Sequence, residues 1–180
     1  RMLGDAREVC EAYLASLHLK KSGLDSENGF QQGEFGTGKA RIESCRLLQV
    51  SGSELHLLDR AQKVVLEVEC RANEEVAEPI LGFFVRDRLG QPLFGDNSLG
   101  RENGWKTLTA GQAYRLRFEF DMPLLATGDY TLGVALASGS SEKHVQHHWS
   151  YEARAFKAAA NPRLTATLQL EGLGLDAQQL

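Results

Sequence analysis

The stretch that decides the fold runs from Pro79 to Leu136. It begins PILGFFVRDRLGQPLFGDNS (residues 79–98) and ends LTAGQAYRLRFEFDMPLLATGDYTLGVAL (residues 108–136). Apolar and polar residues alternate within its segments, and turns that contain glycine separate them. A period of two places every second side chain on the same face of a β-strand. The stretch therefore predicts consecutive antiparallel strands.

The same period continues on both sides of this stretch. Alternating segments occur at Ala40–Leu48, at Val64–Arg71, at Val145–Tyr151 and, after Asn161-Pro162, at Leu164–Leu170. Seven to nine short strands with turns between most of them are typical of a β-sandwich. We predict an all-β protein: an antiparallel β-sandwich of jelly-roll or immunoglobulin-like type over residues 39–180.

The amino-terminal part has a different pattern. Apolar residues between residues 5 and 17 recur at the spacing of one helix face, and Asp5 followed by Glu8 resembles a capping box. Residues 18–38 are rich in Gly, Ser, Lys and Gln and predict a linker. We place the domain boundary near Gly38, and the opening residues resemble the middle of a longer protein rather than a signal peptide.

Composition narrows the class of protein. The chain has 180 residues, a net charge of −4 and 42% hydrophobic residues. No apolar run approaches the roughly 20 residues that cross a bilayer, and no basic surface that would bind nucleic acid is expected. Cys10, Cys45 and Cys70 lack metal-like spacing, and the latter two are predicted to be buried thiols in a reducing compartment.

One segment imitates a phosphate-binding loop. Gly33–Ala40 (GEFGTGKA) has the spacing Gly-x4-Gly-Lys, but Ala40 stands where a magnesium-binding Ser or Thr is required. A functional loop also needs a preceding strand and a following helix. Here a predicted linker precedes the segment and a strand follows it, so we expect no nucleotide site.

Histidines and carboxylates are the side chains in this sequence that could bind a metal or act in catalysis. On a regular strand His144 and His148 share a face while His147 points the other way, so three metal ligands do not converge. Glu67 and Glu119 are predicted on polar strand faces, and no nucleophile signature accompanies them. We therefore expect no metal, no cofactor and no catalytic activity.

The aromatic residues point to a binding surface. If Phe83 faces the core, then Phe84 and Arg86 lie on the outer face of the same strand. Trp105 follows the polar segment Gly100–Gly104. Sugar rings stack their apolar faces on aromatic side chains, while polar side chains bind their hydroxyl groups. For each single aromatic residue, packing in the core remains the alternative.

Several segments in a fixed order resemble the carbohydrate-binding C-terminal domain of Wzt-type ATPases, subunits of the ABC transporters that export O-antigen polysaccharide. The matching segments are Gly36–Ile42, Gly82–Gly90, Leu93–Asn97 and Leu125–Leu132, with His148-Trp149 and Phe156 in the closing strands. Gly4–Tyr13 is similar to the helix that ends the ATPase domain. Residues 1–38 would then be the end of that domain and its linker.

The resemblance implies non-catalytic binding of the exported glycan, including a chemical cap at its non-reducing end in some members. It also implies a homodimer in which the final strand, residues 163–171, crosses to the partner, and a membrane permease subunit reached through the parent protein. The location would be cytoplasmic, at the inner membrane. The alternatives are a purely structural dimerisation module and a glycan-modifying enzyme that uses Glu67 or Glu119.

The candidate site residues follow from which way side chains face on the predicted strands. Aromatic residues would stack on sugar rings, and charged residues would bind hydroxyl groups or a charged cap. The predicted carbohydrate-binding residues are Phe84, Arg86, Trp105, Arg115, Arg117, Glu119 and His148.

Overall fold

The structure is a computed structural model that describes residues 34–101, 105–140 and 142–159 and the backbone of residues 174–179. The predicted helix over residues 5–17 and the predicted strand over Leu164–Leu170 lie outside the described residues. The strands are β1 (Glu34–Phe35), β2 (Ala40–Gln49), β3 (Leu57–Leu58), β4 (Gln62–Ala72), β5 (Val76–Ala77), β6 (Pro79–Arg86), β7 (Pro92–Asn97), β8 (Thr107–Leu108), β9 (Ala113–Met122), β10 (Gly128–Gly139), β11 (His144–Ala158) and β12 (Gly174–Gln179).

The strands form two main sheets. The front sheet has the order β1-β11-β10-β6-β7, with β3 added in parallel beside β11, and the back sheet has the order β12-β9-β4-β2. Strands β5 and β8 form a small separate pair. Apart from β3 with β11, the pairs are antiparallel. The prediction of an all-β antiparallel sandwich is confirmed.

The core lies between the two sheets. Phe83 of β6 packs between Phe118 and Phe120 of β9, with ring centroids 5.1 Å apart in both pairs. The alternation along these strands puts every second side chain into this layer, where each fully buried large apolar side chain contributes roughly 1.5–3 kcal/mol. Because Phe83 faces inward, the neighbouring Phe84 lies on the outer face of the front sheet, as predicted.

The predicted domain boundary needs a correction. Glu34 and Phe35 pair with Ser150 and Trp149 of β11, and the amides of Thr37 and Gly38 donate hydrogen bonds to β11 carbonyls. Residues 34–38 therefore belong to the sandwich rather than to a linker. The strand at Ala40 that the sequence predicts after the glycines is present, and the Lys39 ammonium pairs with Glu74 at 2.9 Å.

The carboxyl-terminal strand β12 pairs antiparallel with β9 of the same chain, at the edge of the back sheet. The predicted exchange segment, residues 163–171, lies outside the described residues. No helix of the described part is long and apolar enough to span a bilayer.

The two cysteines within the described range are free thiols. Cys70 is buried, as predicted, and Cys45 is half-buried. Burial raises the pKa of each thiol to about 12. Both are therefore protonated at neutral pH and chemically unreactive.

Candidate functional site

Three aromatic rings form a continuous stack on the outer face of the front sheet. Trp149 of β11 stands between Phe84 of β6 and Phe35 of β1, with ring centroids 5.2 Å and 5.8 Å apart and interplanar angles of 29° and 19°. Phe35 is buried, whereas Phe84 and Trp149 are half-buried. The stack therefore presents two of its rings to solvent.

The stack exists because β10, the strand between β6 and β11, carries a glycine at the crossing point. Gly133 pairs with Phe84, and a Cβ atom at Gly133 would lie 2.2 Å from Cζ of the Phe84 ring. No side chain fits there. The Phe84 ring therefore lies flat over the backbone of β10 and reaches Trp149.

Tyr151 and Arg86 support the stack at one end. The Tyr151 ring meets those of Phe84 and Trp149 edge-on, and the Arg86 guanidinium carbon lies 5.0 Å from the Tyr151 ring centroid. Arg86 Nε also donates a 2.8 Å hydrogen bond to the carbonyl of Gly90 in the β6–β7 turn. Arg86 is buried, so its role here is to hold Tyr151 and the turn.

A groove of about 450 Å³ lies beside the stack. Its floor consists of small residues from β6, β7 and β10, namely Gly82, Gly95, Ala135 and Ala137, and the rings of Phe84 and Trp149 form a wall. Ile80 and Leu99 add apolar surface. This volume lies within the roughly 300–1,000 Å³ that small-molecule sites occupy.

The groove also has a polar rim. Asp96 and Asn97 of β7 line one side, while Ser140, His144 and Gln146 line the other. Gln146 Nε2 donates to the carbonyls of Leu136 and His148 at 2.9 and 2.7 Å, which fixes its amide and leaves Oε1 as an acceptor. Hydroxyl groups of a ligand would find both donors and acceptors at this rim.

Trp105 is not among the residues that line the groove. Its ring is half-buried against the core and meets Tyr114 edge-on at 5.8 Å. Tyr114 belongs to the back sheet, and its hydroxyl accepts a hydrogen bond from the Thr109 amide. Packing in the core, the alternative considered from the sequence, therefore accounts for Trp105.

Arg115, Arg117 and Glu119 lie on the back sheet, on the side of the sandwich opposite the groove. Glu67, only 1% exposed, pairs with Arg46 and Arg117 on the two flanking strands, and Arg115 Nη2 lies 2.6 Å from Glu69. Burial disfavours ionisation of Glu67, but hydrogen bonds from Arg117 and Arg46 outweigh it and lower its pKa. These arginines serve a cross-strand ion-pair ladder.

His148 is buried and faces inward. The Ile42 amide donates a 2.8 Å hydrogen bond to its Nδ1, and its Nε2 lies 3.4 Å from the Glu34 carboxylate. Burial lowers its pKa, although Glu34 acts in the opposite direction. His148 thus ties β1 and β2 to β11 and is not a rim residue of the groove.

The prediction that His144 and His148 share a face is wrong. The pairing of β10 with β11 shifts between Leu136 and Ala137, and this bulge interrupts the alternation. His144 is exposed at the groove, while His147 and His148 are both buried. Within the described ranges, no three His, Cys, Asp or Glu side chains cluster as metal ligands would.

His147 makes the stability of the domain depend on pH. Its two ring nitrogens lie 2.8 Å from Thr37 Oγ1 and 2.8 Å from Ser138 Oγ, and burial lowers its pKa to about 4. The unfolded chain therefore binds a proton at higher pH than the folded one. The contribution of this residue to stability is therefore undiminished well above pH 6.5 and decreases, by roughly 3 kcal/mol, as pH falls to 4.

We expect His147→Gln to reduce the loss of stability at low pH. A glutamine amide can form hydrogen bonds with the hydroxyl groups of Thr37 and Ser138, and it does not titrate. Urea unfolding at a series of pH values between 7 and 4 measures the effect. His144→Gln, an exposed histidine on the same strand, is the matched control. Equal pH dependence in the wild type and His147→Gln would contradict the assignment.

Of the seven predicted residues, the structure brings only Phe84 to the groove. Sequence reasoning missed Trp149, the small residues of the floor and the rim on β7. One signal was available: Gly133, Ala135 and Ala137 alternate with the core residues of β10, so its outer face carries no large side chain. Such a run of small residues marks a surface that something else approaches closely.

The comparisons with known proteins agree with this architecture. The family model described as "Wzt C-terminal domain" matches residues 31–170. A solved structure, described as "Crystal structure of the C-terminal domain of wzt", superposes with a TM-score of 0.64 at 16% sequence identity, covering 87% of this chain and 92% of that chain. No curated protein sequence matches.

Proposed function

The chain belongs to the Wzt C-terminal domain family, whose members are components of O-antigen ABC transporters, and from this premise we propose that the groove on its front sheet binds the exported O-polysaccharide without altering it. The bound segment would lie on the small-residue floor against Phe84 and Trp149. The observation that carries the proposal is this combination of a ring wall, a floor without side-chain bulk and a polar rim.

The chemistry of pyranose rings supports the proposal. One edge or face of a sugar ring presents C–H groups, which pack well on aromatic rings, while its hydroxyl groups require hydrogen bonds. The groove offers both within one depression, with Gln146 and Asn97 on opposite sides. The gain from such contacts is partly offset by desolvation of the hydroxyl groups, so affinity for one site would be weak.

The carboxylates favour binding over hydrolysis. Glycoside hydrolysis usually needs two carboxyl groups on either side of the scissile bond. Among the described residues that line the groove, Asp96 is the one carboxylate, and Arg101 pairs with it at 2.7 Å. Glu67 and Glu119 lie on the back sheet, so the enzymatic alternative has no support from their positions.

We extend the proposal to the assembly. Two copies of the domain in a homodimer would present two grooves to one polymer, and the second contact would then raise the avidity without any new interaction. The domain would act on the cytoplasmic side of the inner membrane, and the parent protein would connect it to the membrane permease.

Titration of the domain with O-polysaccharide from the bacterium that encodes it tests the proposal. We expect Phe84→Ala and Trp149→Ala each to weaken binding at least about tenfold, because large rings at the centre of an interface carry most of its energy. Arg117→Ala, on the back sheet, is the control and should bind like the wild type. Circular dichroism confirms that each variant is folded.

Two results would contradict the proposal. One is a folded wild-type domain that does not bind at millimolar site concentrations. The other is a loss of binding in Arg117→Ala with none in Trp149→Ala. The first would favour the alternative that the domain only assembles the transporter subunit, and the second would move the glycan site to the back sheet.

A further inference from the structure

We propose that the groove selects uncharged sugar residues, and that Asp96 sets this selectivity by neutralising Arg101. The inference rests on the proposed function, because it names the class of glycan that the same groove accepts. It assigns to Asp96 the role of a specificity-determining residue at the rim.

The first argument for this selectivity is the charge of the side chains that line the groove. The described side chains that line it are apolar, small or neutral, with the exception of the Asp96 carboxylate and the titratable His144. No Lys or Arg is among the described residues that line the groove. A carboxylate or phosphate on a bound sugar would therefore find no basic side chain among these lining residues.

The second argument is the set of hydrogen bonds that Asp96 accepts. Its Oδ2 accepts a 2.7 Å hydrogen bond from Arg101 Nη2, and its Oδ1 accepts one from the Asn97 amide at 2.7 Å. Arg101 Nε donates to the Asn97 carbonyl at 3.1 Å. The Arg101 guanidinium is thus held by β7 and paired with Asp96, so it offers no net charge to a ligand.

Desolvation then disfavours an acidic sugar. The Asp96–Arg101 pair carries no net charge, so it offers no cation to compensate a bound anion. An anion that is partly desolvated without a partner costs free energy. A neutral residue avoids this cost, since its hydroxyl groups can donate to the Asp96 carboxylate and its C–H groups pack on Phe84 and Trp149.

We expect this preference to reverse when Asp96 is changed. In Asp96→Asn the amide keeps the shape of the carboxylate, while Arg101 loses its counter-ion and becomes available to a ligand. The groove would then attract anions. In the double variant Asp96→Asn/Arg101→Gln both charges are gone, so the groove again offers no cation and should discriminate against an anion as the wild type does.

The experiment uses the native O-polysaccharide in two derivatives with the same degree of substitution. One is partially acetylated, which adds bulk without charge, and the other is partially sulfated. Binding is measured at pH 8 and at two salt concentrations. Gly82→Leu, in which the groove is filled, defines the binding that does not depend on the groove.

We expect wild type to bind the sulfated polymer at least tenfold more weakly than the acetylated one. The ratio should approach one or invert in Asp96→Asn, and it should return to the wild-type value in the double variant. High salt should weaken the attraction of Asp96→Asn for the sulfated polymer.

The possible outcomes separate the two proposals. Groove-dependent binding of the sulfated polymer as tight as that of the acetylated one, or an unchanged ratio in Asp96→Asn, overturns the selectivity while glycan binding stands. If neither the native polymer nor its derivatives bind wild type, then the proposed function fails and the selectivity fails with it.

Discussion

Gly82→Leu is expected to reduce glycan binding at least about a hundredfold while leaving the domain folded. A Cβ atom at Gly82 would make ordinary contacts, 3.4 Å from Asn97 Cβ and 3.6 Å from the Asp96 carbonyl oxygen. The backbone there is not in the left-handed region that favours glycine. A leucine is therefore tolerated by the strand, and its side chain projects over the floor where the sugar ring would lie.

The loss would exceed that of a single deleted contact, because filling the site excludes the ligand instead of weakening one interaction. A hundredfold change corresponds to about 2.7 kcal/mol of binding free energy. Calorimetric titration measures it, and thermal unfolding verifies that the domain is intact.

Ala155→Leu provides the matched control. Ala155 is exposed on β11 of the same sheet and pairs with Thr131, away from the groove. This variant adds the same side chain without filling the groove, so its affinity should equal that of the wild type. If Gly82→Leu binds like the wild type, or if both variants lose binding equally, the groove is not the glycan site.

Gly36→Ala is expected to lower the free energy of unfolding by about 3 kcal/mol and to release β1 from the front sheet. The φ angle of Gly36 is +151°, and a Cβ atom would lie 2.1 Å from the His147 carbonyl oxygen. The obstacle is backbone on both sides, so no side-chain rotation relieves it. Such forced shifts typically cost 1–3 kcal/mol or more.

The release of β1 would also change the wall of the groove. When β1 leaves, Phe35 no longer stacks on Trp149, and His148 loses the Glu34 carboxylate. We therefore expect a change in Trp149 fluorescence together with the loss of stability in urea unfolding, and weaker glycan binding.

Gly111→Ala is the control for Gly36→Ala, because it places alanine at a positive φ angle without creating a steric clash. Gly111 has a φ of +80°, and a Cβ atom there would meet nothing within 4 Å. Its substitution should cost only about 1 kcal/mol, the typical penalty for a left-handed residue other than glycine. Equal losses in the two variants would show that packing of Gly36 against β11 contributes nothing.

The local pattern of the chain determined most of the fold. Alternation along Tyr114–Phe120 specifies which side chains are buried whatever the partner strand is, because successive side chains of a strand point to opposite faces. For the same reason the outward positions of Phe84, Arg115 and Arg117 could be predicted. The bulge at His147 could not, since it depends on how β11 pairs with β10.

The site could not be predicted from the sequence because it depends on the order of the strands in the sheet. Phe35, Phe84 and Trp149 are far apart in sequence, and only the arrangement β1-β11-β10-β6-β7 makes their rings neighbours. Arg115 and Arg117 satisfy the same outward rule as Phe84, but their strand lies in the other sheet. Periodicity along the chain thus determined which face each residue takes. Tertiary pairing alone decided which faces meet, because contacts between strands depend on packing that no single segment encodes.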